Sequence, residues 1–154
     1  MNISEKIKRL TYHEGFRSKP YKCTTNRLTQ GIGRNIQDNP LNSFEKSHIK
    51  NLNCWTLAEA EFILTYDINR CEVLLNNMVR CYDSLDEERK YALLDMCYQM
   101  DIKGLLKFKK MLKALENKDF KKAKEECLNS SYAKQTPARA KRIAHLIETG
   151  EWKC

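Results

Sequence analysis

Glu14 is the residue whose position most invites chemistry. Asn2 followed three residues later by Glu5 has the form of a helix-starting capping box. Ile3, Ile7 and Leu10 then follow at helical spacing, so a first helix should end near Glu14-Gly15. The C-terminal end of a helix carries partial negative charge, a field that disfavours a carboxylate and tends to raise its pKa. A carboxylic acid held neutral can protonate a leaving-group oxygen, as breaking a glycosidic bond requires. The plainer alternative is a solvated glutamate at a helix end, where most charged side chains are found. The other chemically versatile residues suggest less. His13, His48 and His145 form no spaced cluster, and no Cys/His set has zinc-ligand spacing. The seven cysteines are odd in number and contain no CxxC pair, which fits free thiols made in a reducing cytoplasm. Apart from Cys23, they fall mainly on apolar helical positions and read as small hydrophobes, with Cys154 the candidate for an exposed thiol. Neither metal nor cofactor is implied.

The elements that must position Glu14 can be sketched from the pattern around it. Tyr21 to Ile32 lacks helical periodicity and is rich in Thr and Asn. Thr24-Thr25-Asn26-Arg27 suits a turn between two short strands. Gly31 and Gly33 flank Ile32 and would let backbone come close to another group. Asn39-Pro40 punctuates a loop. From Thr56, paired with Glu59 in a second capping box, the chain reads as helical. Leu57, Ala60, Leu64, Ile68, Cys71, Leu75 and Met78 make one apolar stripe over about 24 residues, roughly 36 Å of helix. Ser84 and Glu87 predict the start of the next helix, apolar on nearly every side from Tyr91 to Tyr98 except at Asp95. Leu105, Phe108, Leu112 and Leu115 mark another helix, and Phe120, Ala123 and Cys127 a shorter one. Thr136-Pro137 starts the last helix, Ala140, Ile143, Ala144 and Ile147 face inward, and Gly150 stops it.

The expected fold is therefore α+β and predominantly helical. It is a single domain over 1–154, with a small β-containing lobe at 15–55. A helical lobe of 1–14 plus 57–154 is joined to it by the long helix. A cleft between lobes is where a site is expected.

Several stretches carry a family resemblance. Tyr12-His13-Glu14-Gly15-Phe16-Arg17, Tyr21-Lys22 and Thr29-Gln30-Gly31-Ile32-Gly33 resemble the active-site region of the phage lysozymes of glycoside hydrolase family 24. That family's signature is a Glu, eight residues, an Asp or Cys, five residues and a Thr, which here falls on Glu14, Cys23 and Thr29. Tyr82-Asp83-Ser84-Leu85-Asp86 and Gln99-Met100 resemble the central helix of the T-even type. Gln135-Thr136-Pro137, Arg139-Ala140-Lys141-Arg142 and Thr149-Gly150 with Trp152 resemble its last helix. Residues 34 to 55 show little similarity.

The resemblance implies a lysozyme-like fold and hydrolysis of the β-1,4 bond between N-acetylmuramic acid and N-acetylglucosamine in peptidoglycan. Glu14 would be the general acid, and Thr29 would help hold the attacking water. Cys23 stands where many relatives have Asp. A free thiol has a pKa near ~8.5 and accepts a proton weakly at neutral pH unless that value is lowered. Because cysteine is also a good nucleophile, the stereochemical outcome stays open between inversion and retention. The alternative for Cys23 is a buried, inert thiol. Arg139 matches an arginine that pairs with the catalytic glutamate in relatives; otherwise it is a surface arginine on a basic helix. Tyr98 and Gln99 match cleft-facing, substrate-binding positions, the alternative for Tyr98 being core.

The net charge of +8 favours anionic polymers, and the run Lys107, Lys109, Lys110, Lys113 contributes to it. Nucleic acid is not expected as a partner, since there is no zinc-finger spacing, RNP-like motif or Gly-rich phosphate loop. No stretch approaches the ~20 apolar residues of a membrane span, and Met1 to Leu10 is not of signal-peptide type. The expectation is a monomer made in the cytoplasm that acts on the cell wall after release, which in phage relatives is through a holin. Two other functions remain open at this stage. A lytic transglycosylase on the same fold would need no water-activating partner, and a basic wall- or nucleic-acid-binding module would need no catalysis.

Overall fold

Asn2 opens the first helix as its spacing predicts: its Oδ1 accepts the Glu5 amide at 2.9 Å. That satisfies one of the donors a helix start leaves over. In the computed structural model, which describes residues 1–153, this helix α1 spans Ile3–Glu14. Three short strands follow: β1 (Arg17–Lys22), β2 (Leu28–Gly31) and β3 (Arg34–Asn35). They form one antiparallel sheet in the order β1-β2-β3. The remaining helices are α2 (Ser43–Ser47), α3 (Leu57–Met78), α4 (Glu87–Leu105), α5 (Lys109–Glu116), α6 (Phe120–Leu128), α7 (Ser131–Gln135) and α8 (Pro137–Thr149). A 3-10 turn at Tyr82–Ser84 precedes α4. The fold is α+β and predominantly helical, as expected. Cys154 lies outside the described residues.

The chain forms two compact units, Asn2–Asp67 and Met1 with Ile68 onward, and the division falls inside α3. In the first unit Leu10, Ile32, Ile49, Trp55, Ile63 and Leu64 are buried. The predicted turn is present: the Asn26 amide donates to the Cys23 carbonyl at 2.8 Å, and the Cys23 amide donates to the Arg27 carbonyl at 3.0 Å. Asn26 takes a left-handed backbone (φ 59°), which asparagine tolerates better than most residues. The register of β1 slips between Arg17 and Tyr21. Pro20, which has no N–H, sits there on an edge strand, where its cost is small. Gln30 is buried and donates its amide protons to the Ser18 carbonyl (2.8 Å) and the Leu52 carbonyl (3.1 Å). This ties the sheet to the segment before α3.

Residues 34 to 55, where the sequence shows little pattern, are held by a buried cation. Arg34 is 3% exposed and donates to Asp67 Oδ1 at 2.7 Å and to Glu45 Oε2 at 3.2 Å. It also donates to the backbone carbonyls of Asn39 and Pro40 at 2.9 and 3.3 Å. Glu45 in turn accepts the Asn42 amide at 3.0 Å and completes a capping box on α2. A buried guanidinium needs this many partners, because an unpaired buried charge is strongly destabilising.

The α3 stripe belongs to both units, Leu57 to Leu64 to the first and Ile68 onward to the second, and Ile68 and Leu75 are buried. Its outermost members, Leu57 and Met78, are the first and last residues of the helix and stand about half exposed. Tyr91 to Cys97 of α4 are all buried, as the all-round apolar pattern predicts. The N-cap of α4 corrects the expectation at Ser84. Asp86 Oδ1 accepts the Arg89 amide at 3.0 Å, while the Ser84 hydroxyl donates to the Cys81 carbonyl at 2.8 Å and closes the 3-10 turn. Both residues are good caps, and the carboxylate is the one that lies before the regular backbone. Helix α4 also leaves helical geometry at Asp101 (φ 63°, ψ 163°). At α8, Pro137 takes the first turn and Gly150 the left-handed cap (φ 72°). Arg89 donates to the carbonyls of Ile147 and Glu148, both at 2.8 Å, and its guanidinium covers Phe120 at 3.6 Å.

Candidate active site

Glu14 is the last residue of α1 and is half-buried. Its carboxyl group lies against the backbone of Gly33. A Cβ built there would come within 2.6 Å of Glu14 Oε2, and Gly33 has φ of +69°. Gly31 plays the corresponding role for the core: a Cβ there would meet the Trp55 ring at 2.7 Å. The two glycines that the sequence marks for close approach therefore have named neighbours. One admits a carboxyl group and the other an indole.

Cys23 sits directly after β1, half-buried, at the head of the turn. Its Sγ lies 3.0 Å from Thr25 Oγ1. Burial pushes the thiol pKa up. Hydrogen bonds to the Thr25 hydroxyl, to the Arg27 and Thr25 backbone and to the Thr29 side chain outweigh this and lower it to about 7. The thiol is therefore much more acidic than an ordinary one. The bland alternative of a buried, inert cysteine does not describe this environment. Cys127 does fit it, since burial raises its thiol to about 12. Cys54 also departs from the small-hydrophobe reading, because it is exposed in the segment before α3.

Thr29 is on β2, paired with Tyr21 of β1, and is 4% exposed. Its hydroxyl donates to the Arg27 carbonyl at 3.0 Å. Tyr21, part of a stretch that resembles the family's active-site region but given no role from the sequence, is half-buried. Burial raises its phenol pKa first, and the negative charges of Glu14 and Cys23 raise it further against the pull of Arg17. Its ring also carries the Arg17 guanidinium at 4.4 Å. One phenol thus feels both candidate catalytic groups. The sequence signs of this were its place two residues before Cys23 and the resemblance of Tyr21-Lys22 to the family's active-site region. Glu14, Cys23 and Thr29 all belong to the Asn2–Asp67 unit.

Tyr98, Gln99 and Arg139 belong to the other unit. Tyr98 and Gln99 are half-buried on α4. The Gln99 side chain donates to Thr136 Oγ1 at 3.2 Å, and that hydroxyl donates to the Tyr132 carbonyl at 3.2 Å. Arg139 is 9% exposed, which removes the reading of it as a surface arginine. Its Nε donates to Asp95 Oδ1 at 2.8 Å, and the Tyr91 hydroxyl donates to Asp95 Oδ2 at 3.2 Å. Asp95, the one interruption of an apolar helix, is thus the anchor of a buried polar network. Among the described residues no group of three His, Cys, Asp or Glu is placed to hold a metal ion. No helix among them is long and apolar enough to cross a membrane.

The phage lysozyme family model matches residues 11–146. Two proteins of Dictyostelium discoideum, named "Probable T4-type lysozyme 1" and "Probable T4-type lysozyme 2", are 32% and 33% identical. The alignments cover 92% of both chains in the first comparison and 94% of both in the second. A third relative is the pre-baseplate central spike protein Gp5 of Enterobacteria phage T4, 27% identical over 97% of this chain and 28% of its own length. The match runs from Thr11, just before the helix end that carries Glu14, to Leu146 in α8. On this evidence the chain belongs to the phage lysozyme family.

Proposed function

We propose that this protein is a muramidase. It hydrolyses the β-1,4 bond between N-acetylmuramic acid and N-acetylglucosamine in the glycan strands of bacterial peptidoglycan. Membership of the lysozyme family supports the class of reaction. The observation that carries the assignment of roles is that the charges of Glu14 and Cys23 both reach one half-buried tyrosine, with Glu14 against a glycine backbone. Glu14 donates its proton to the leaving glycosidic oxygen as the C1–O bond breaks. Water adds at C1 and gives up a proton to the Cys23 thiolate, with Thr29 helping to hold the water. At a pKa of about 7 the thiol is ionised to a useful extent at neutral pH, which an ordinary thiol is not. Tyr98 and Gln99 contact the sugar, since an aromatic face and an amide suit its ring and hydroxyls. Arg139, held by Asp95, is the third candidate for substrate binding.

Product analysis tests the reaction type. Purified peptidoglycan treated with the reduced enzyme should acquire new reducing ends. Anhydro-muramic ends in their place would make the protein a lytic transglycosylase, and intact glycan would refute the enzyme reading.

A further inference from the structure

A thiol is a weak substitute for a carboxylate unless something holds its charged form. The turn after β1 is built to do this. Sγ of Cys23 is met by the Thr25 hydroxyl at 3.0 Å and by hydrogen bonds from the Arg27 and Thr25 backbone. Backbone amides that converge on one atom favour its anionic form, and here those of Thr25 and Arg27 do so. Two hydroxyls, those of Thr25 and Thr29, are near the sulfur, and each has a single proton to donate. The Thr29 proton is committed to the Arg27 carbonyl at 3.0 Å. Thr29 also favours the charged sulfur, but less than Thr25 does. Thr25 is exposed and its hydroxyl is free to turn toward the sulfur.

We infer that Thr25 is a positioning residue of the catalytic site, whose hydroxyl donates to Cys23 Sγ and holds it as the thiolate that takes a proton from the attacking water. This rests on the reading of Cys23 as the water-activating group. The proton that Thr25 donates in the hydrogen bond is never transferred. The water proton goes to sulfur, the water oxygen bonds to C1, and Glu14 protonates the departing oxygen. Solvent then resets both groups. The titratable and charged groups around the sulfur are Tyr21 on β1, through it Glu14 at the end of α1, the adjacent Lys22, and Arg27 in the turn. The Arg27 guanidinium is engaged by Asp38 at 3.5 Å. The leading causes that lower the thiol pKa are hydrogen bonds from the turn and from Thr29.

The test follows alkylation of Cys23 by iodoacetamide against pH, read by mass spectrometry of its peptide, beside kcat/KM for peptidoglycan over the same range. In Thr25→Val the alkylation midpoint should rise by about one pH unit, the size expected for one charge-assisted hydrogen bond. The value of kcat/KM at pH 6 should fall about tenfold, in step with the thiolate fraction. The deficit should vanish near pH 9, where the thiol is ionised in both proteins. Thr25→Ser, which keeps the hydroxyl, should behave as wild type in both assays. An unchanged midpoint in Thr25→Val would overturn the inference. So would a raised midpoint with an unmoved activity profile. In that second case Cys23→Ala locates the failure. Full activity there shows that the reading of Cys23 as the water-activating group was wrong, while loss of activity confines the error to Thr25.

Discussion

Gly33 shows how a single missing side chain can make room for a carboxyl group. With no Cβ, it lets the Glu14 carboxyl lie against backbone where an added carbon would stand 2.6 Å from Oε2. Its positive φ reinforces the requirement, since other residues pay about 1–2 kcal/mol for a left-handed backbone. Gly33→Ala should therefore lose activity beyond what its stability explains. Moving a catalytic group by about 1 Å can cost on the order of a hundredfold in rate. Clearing rates beside thermal unfolding would check this, and an alanine variant with near wild-type turnover would refute the positioning role of Gly33. Glu14, Cys23 and Thr29 could be nominated from the sequence because the family spacing is local. Tyr21 and Thr25 were given no role from it, since their importance comes from what the folded turn brings near the sulfur. The bond between Arg139 and Asp95 had no sign in the sequence. The Asp95 pairing joins positions 44 apart on two helices, and no periodicity encodes that.

At the scale of elements, local signals located starts and stops well where a side chain bonds its own helix. Thr56 and Glu59 exchange hydrogen bonds at 3.1 and 3.0 Å as their spacing predicts, and Gly150 caps α8. Ser84 failed as a cap because Asp86, two residues on, competes for the same task. The short helix α7 was not anticipated, although Ser130 caps it by accepting the Ala133 amide at 3.3 Å, and neither was the break at Asp101. The largest blank was 34 to 55, where order comes from Arg34 gripping Glu45, Asp67 and two carbonyls rather than from an apolar pattern. Removing that cation leaves two buried carboxylates without it. Arg34→Met should cost about 3–5 kcal/mol, the usual penalty for breaking a buried ion pair from one side. Denaturant unfolding would measure this, and a loss below about 1 kcal/mol would mean that Asn42 and the surrounding groups satisfy the carboxylates unaided.

For the whole molecule the dominant quantity is charge. A net +8 attracts an anionic wall polymer at long range, and salt should weaken that attraction. Between about 0.01 M and 0.15 M ionic strength the screening length falls from about 30 Å to about 8 Å. Clearing of intact wall should slow across that range, whereas a flat salt response would show that surface charge plays no part in engagement. The central claim, however, is that one carboxyl group supplies the proton. The most direct measurement is the clearing of purified peptidoglycan, under reducing conditions, by wild type and by Glu14→Gln. The amide keeps the shape and loses the proton, so clearing and new reducing ends should both disappear while the unfolding midpoint stays close to wild type. A folded Glu14→Gln protein that still clears the glycan would contradict the account, because the acid would then have to be another residue.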